Sequence, residues 1–105
     1  MNSFTDREKA QEAKFAHDDE LRFKAEARRN KLLGFWVAEK LGHPDPAAYA
    51  AEVVASDFVE AGEEDVFRKV SGDLKAAEIV VSEEEIRAKM SELEGVAKQQ
   101  VLNEG

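Results

Sequence analysis

Ser82-Glu83-Glu84-Glu85 is a capping box, with Ser82 at the N-cap and Glu85 at N3, and Val81 and Ile86 occupy the two staple positions around it. Behind it Ile86, Met90, Leu93, Ala97 and Val101 recur at spacings of 4, 3, 4 and 4, which is one face of an α-helix. A helix with one apolar face has to bury that face on something, because packing and not propensity supplies most of its stability. The rest of the chain offers helices to meet it. Proline (2) and glycine (6) are scarce, so long stretches carry nothing that stops a helix.

Pro44-Asp45-Pro46 reads as loop, N-cap and first helical residue, since proline is tolerated at N1. The helix that follows is expected to reach about Ala61 and stop at Gly62, with Ala50, Val54, Phe58 and Ala61 inward and Tyr49 and Val53 flanking them. Glu63-Glu64-Asp65 then places negative charge in the first turn of a third helix, which carries Val66, Val70, Leu74 and Ala77 on one side and Phe67 beside them. Upstream, Leu21, Ala25, Leu32 and Trp36 share a face, with Leu33 and Phe35 at its edges and Gly42-His43-Pro44 ending the segment. Trp36 is expected there as a core anchor. These segments predict an all-α fold, with residues 20–105 packing as one small helical domain.

Residues 1–19 differ in kind. Their only large apolar side chains are Phe4 and Phe15, too few to bury a helix of that length. Yet Thr5 and Glu8 form a second capping-box pattern, and Lys14–Asp18, Asp18–Arg22, Glu20–Lys24 and Arg22–Glu26 set opposite charges four residues apart. Only Gly34 interrupts helical sequence between Thr5 and Leu41, so a first helix of about 37 residues, roughly 55 Å, is open to the chain. Its N-terminal part would protrude from the bundle or be disordered when free. Phe4 and Phe15, eleven residues apart, share a helix edge. Two spaced aromatic anchors on a cappable polar segment fit a helix completed in a partner's groove, and a frayed terminus without a role fits equally.

The net charge of −8 is unevenly placed. Residues 1–31 hold eight basic and seven acidic side chains, whereas residues 32–105 hold seven and sixteen. The acidic part would repel nucleic acid, and the one basic cluster, Arg28-Arg29-Asn30-Lys31, is short for a phosphate track. Arg29 lies about 20° from Trp36 on a helical wheel, so it either snorkels from the core edge or meets a partner. No apolar run approaches the roughly 20 residues of a membrane span, and no targeting signal is visible, so a cytoplasmic location without membrane insertion is expected. Cysteine is absent, which excludes disulfides, thiolate zinc sites and a cysteine nucleophile. His17 and His43 lie in different segments, and no phosphate-binding glycine loop, nucleophile elbow or calcium-loop spacing occurs. Neither an enzyme nor a cofactor is expected.

The stretch Phe4-Thr5-Asp6-Arg7-Glu8, followed by KFAHDDELRFKAEARRNKLLG over residues 14–34, resembles the zeta subunit family of alphaproteobacterial ATP synthases. YAAEVVASDFVEAGEEDVFRKV over residues 49–70 is similar to that family's middle helices. The resemblance implies a four-helix bundle and an inhibitor of the rotary F-type ATPase. It further implies that residues 1–19 enter a catalytic interface between alpha and beta subunits, near gamma, and block rotation driven by ATP hydrolysis. Phe4 and Phe15 would be the buried anchors, with Arg7, Glu8, Lys14, Asp18 and Asp19 around them. Arg22, Arg28, Arg29 and Lys31 would lie at the bundle edge or on the partner. The chain would be monomeric when free and reach the cytoplasmic face of the inner membrane through the synthase. From another class, a small helical adaptor or nucleic-acid-associated protein would use the basic patch at residues 28–31.

Overall fold

In the computed structural model, which describes residues 19–57 and 63–104, α1 runs from Asp19 to Leu41 and touches each of the other three helices. α2 spans Pro46–Ser56, α3 Glu64–Ala76 and α4 Glu83–Glu104. The described chain is thus an all-α, four-helix arrangement. The part of the expected first helix before Asp19 lies outside the described residues, as do Phe58, Ala61 and Gly62.

Local chemistry sets the boundaries. Gly42 adopts φ 64°, and its N–H donates to Glu39 O at 3.2 Å while His43 N–H donates to Ala38 O at 3.0 Å, the paired bonds of a Schellman cap. Asp45 then caps α2, its Oδ1 accepting from Ala48 N at 3.1 Å, with Pro46 in the first turn where its missing N–H costs nothing. α3 also closes with a Schellman pair, Glu78 N to Lys75 O at 3.0 Å and Ile79 N to Leu74 O at 2.9 Å. Here the left-handed residue is Glu78, at φ 60°, where glycine is usual. Ser82 caps α4 as its capping box predicts, accepting from Glu85 N at 3.1 Å.

The main core joins Leu33, Val37, Ala38, Tyr49, Val53, Val66, Val70, Leu74, Ile86 and Met90, with Trp36, Phe67, Ile79, Val81 and Leu93 packed on its edges. A smaller cluster lies further toward the N-terminus of α1, where Ala25 and Val101 meet Leu21 and Leu102. Between Ala25 and Leu33 on α1 stand Arg29 and Asn30, the two polar residues that are buried among those described. The stripes expected on α3 and α4 are the ones buried, except that Ala77 is the exposed C-cap of α3 and Leu93 is half-buried.

Three expectations need correction. α1 buries Ala25, Arg29, Asn30, Leu33, Gly34, Val37 and Ala38, so its inner face is turned away from the predicted Leu32 and Trp36. The cause is Gly34, where an added Cβ would lie 2.5 Å from Ala50 Cα. Small residues let the α1 and α2 backbones approach, and that contact, not the largest side chains, chooses the face. Trp36 is consequently half-buried, with Lys40 Nζ 4.8 Å and Lys89 Nζ 5.6 Å from its ring centroid. The same rotation makes Tyr49, Ala50 and Val53 the buried face of α2 and leaves Val54 half-buried. α2 itself ends at Ser56, short of Ala61: Ser56 Oγ donates to Val53 O at 2.6 Å, and Asp57 N tightens the last turn onto Val54 O at 3.3 Å.

Candidate functional site

The expected partner-binding residues Phe4, Arg7, Glu8, Lys14, Phe15 and Asp18 lie outside the described residues. Asp19 opens α1 and pairs with Arg22 one turn later, so Arg22 is engaged within its own helix. Four residues past Asp19 stands Phe23, 65% exposed. It edges a shallow groove completed by Glu26, Ala27, Asn30, Val54 and Asp57.

The groove has a simple geometric origin. Phe23, Ala27, Asn30, Gly34 and Ala38 recur at spacings of 4, 3, 4 and 4, one stripe along α1. α2 covers this stripe at Gly34 against Ala50, and its end reaches Asn30, whose Nδ2 donates to Asp57 Oδ2 at 3.1 Å. Having only 11 residues against the 23 of α1, α2 then stops. Ala27 is half-buried beyond that point and Phe23 is exposed.

The basic cluster does not form a patch. Arg28 turns to α4, its Nη1 donating to Gln100 Oε1 at 2.9 Å and its Nη2 to Glu104 Oε1 at 2.6 Å. Arg29, 5% exposed, points inward, with Nε donating to Asn30 Oδ1 at 3.0 Å and Nη1 to Glu63 Oε2 at 3.3 Å. Lys31 alone of the cluster's charges is exposed. The choice at Arg29 between core edge and partner resolves as burial within the bundle. Arg29 and Asn30 between them hold Glu63 and Asp57, the residues flanking 58–62 on either side. Asn30 was not legible as part of this arrangement, because an asparagine inside a basic run carries no signal of burial.

Two further polar constructions hold the bundle. Tyr49 Oη donates to Asp73 Oδ2 at 2.7 Å, and Lys69 Nζ binds that same oxygen at 3.1 Å while lying 3.6 Å from Glu52 Oε1. Burial first, then the hydrogen bond to Asp73, pushes the Tyr49 phenol well above its ordinary value. On the other side Arg87 stacks over Phe67 at 4.0 Å and binds Glu64 and Glu83, and its hydrogen bond holds the Glu64 carboxyl below the usual range. Both tie helices together: α2 to α3 through Tyr49 and α3 to α4 through Arg87.

Among the described residues no group of three or more His, Asp or Glu is arranged to hold a metal ion, and no helix is long and apolar enough to cross a membrane. No curated protein matches the chain. The model of the family described as ATPase inhibitor subunit zeta matches residues 1–100, taking in all four helices nearly whole and the 18 residues that precede them. That span covers almost the entire sequence, and the chain belongs to the ATPase inhibitor subunit zeta family.

Proposed function

We propose that this protein inhibits ATP hydrolysis by the F-type ATP synthase by inserting residues 1–19 into a catalytic interface between alpha and beta, close to gamma, and so blocking rotation. The observation that carries this reading is the family match beginning at residue 1, which takes in the segment that precedes α1. That segment carries Phe4 and Phe15 as aromatic anchors for a partner. A segment that orders on binding offsets its lost entropy only where a groove buries such anchors. Arg7, Glu8, Lys14, Asp18 and Asp19 then supply polar contacts around them, and the acidic bundle stays outside and sets how far the segment enters. The chain acts as a regulator without chemistry of its own, and it meets the membrane surface through the synthase. The competing use of residues 28–31 as a phosphate track loses its basis, since Arg28 and Arg29 are both engaged by carboxylates.

The test adds the full chain, and separately a form lacking residues 2–19, to the isolated catalytic head of an alphaproteobacterial ATP synthase and follows ATP hydrolysis. Slowing by the full chain alone supports insertion. Equal slowing by both places inhibition on the bundle, and no slowing by either removes the reading.

A further inference from the structure

We propose that the surface gripping the ATPase continues past residue 19 onto α1, with Phe23 as a third aromatic anchor and the Ala27–Val54 groove beside it receiving an apolar side chain of the catalytic head. This inference rests on the reading that residues 1–19 engage that head. Single exposed apolar residues are ordinary on protein surfaces. Phe23 differs in three respects. It is 65% exposed although it lies on the very stripe that α2 covers two turns further on, so among the described residues the exposure begins where α2 ends. It stands over a groove with apolar walls in Ala27 and Val54. And it is four residues from Asp19, the first residue of α1, about 6 Å along the helix axis from the point where residues 1–18 join.

By sequence spacing alone, positions 4, 15 and 23 would fall within an arc of roughly 100°, the width of one apolar face, on a helix that the partner completes in register with α1. A partner that grips the first two therefore meets the third without turning round the helix. The groove's rim defines the chemistry of what fits. Glu26 is exposed, and among the described residues Asp57 takes Asn30 on one oxygen, so two carboxylates border the apolar floor. The complementary surface is an apolar side chain flanked by lysine or arginine.

The test compares the full chain with Phe23→Ala and Phe23→Leu as inhibitors of ATP hydrolysis by the isolated head, with thermal unfolding of each followed in parallel. Phe23→Ala is expected to raise the half-inhibitory concentration about ten-fold or more, and Phe23→Leu less, with melting temperatures unchanged. A photo-crosslinking aromatic residue at position 23 is expected to capture a subunit of the head, whereas the same residue at Val80, fully exposed in the α3–α4 connection, captures none. If the unaltered chain inhibits and Phe23→Ala inhibits equally well, the third anchor is overturned while insertion stands. If weaker inhibition comes with a lowered melting temperature, or position 23 crosslinks only to a second copy of this chain, the anchor is overturned as well. If the unaltered chain does not inhibit, the underlying reading fails first and takes the anchor with it.

Discussion

Gly34 of α1 faces Ala50 of α2 across so short a gap that a methyl group on Gly34 would sit 2.5 Å from Ala50 Cα and 3.1 Å from its Cβ. The obstacle is backbone, which cannot swing aside as a side chain can. Gly34→Ala therefore forces the two helices apart, and the helix propensity gained, about 1 kcal/mol, offsets part of the cost only. We expect a net loss of about 2 kcal/mol and a melting temperature lower by roughly 10 °C, followed by circular dichroism. An unchanged melting temperature would show that α1 and α2 part freely.

Glu78 presents the opposite case. It occupies the left-handed position of the cap that ends α3, at φ 60°, where a side chain is strained. Glu78→Gly removes the strain and keeps both cap hydrogen bonds, which are made by the backbone. The variant should gain about 1 kcal/mol in urea denaturation with the slope unchanged.

Tyr49 is the chain's single tyrosine, so its phenolate absorbance reports one group. Its folded pKa is raised above the ordinary 10.0, by burial and by the hydrogen bond to Asp73. Above pH 10 the unfolded state therefore loses a proton that the folded state keeps. The Tyr49 contribution is complete below that pH and is lost as pH rises from about 10, by up to about 1.4 kcal/mol per unit while the folded phenol stays protonated. Tyr49→Phe should cost about 1 kcal/mol at neutral pH through the lost hydrogen bond, yet lack this alkaline decline. Parallel pH–stability curves for the two forms would refute the account.

The double change Phe4→Ala and Phe15→Ala should weaken inhibition of ATP hydrolysis by more than about 1 kcal/mol, if the two rings are buried in the complex. Bundle stability should not move if the two rings act on the partner alone. Inhibition titrated against the isolated head, beside thermal unfolding of the free variant, checks both halves.

Where a structural decision is local, it was legible from the residues. Ser82, Asp45 and Gly42 cap helices through groups within a few residues of themselves, and α3 and α4 bury the stripes their spacing announces, apart from Ala77 and Leu93. The face of α1 was not legible in this way, because it is chosen by the approach of Gly34 to a residue sixteen positions away, and Leu32 and Trp36 outweigh glycine in any count of apolar character. Glu78 gives no hint of a left-handed cap, since its type belongs in helices. The site proposed before α1 rests on the family string and lies outside the described residues, whereas the fates of Arg28, Arg29 and Asn30 depend on Glu104, Glu63 and Asp57, which no spacing rule connects to them.

α1 and α4, at 23 and 22 residues, outrun the two shorter helices. Beyond the Arg29–Asn30 layer, the described residues hold the pair together through Ala25, Val101, Leu21, Leu102 and the Arg28–Glu104 ion pair. Amide protons of residues 21–26 and 101–104 should thus exchange with solvent by local opening, well before those of Leu33 and Val37, which need global unfolding. On that expectation the described bundle has a soft end and a hard end. Since residues 1–18 join at the soft one, the turns nearest them can give way or re-form without melting the four-helix end, and tension arriving along the chain is absorbed before it reaches the main core.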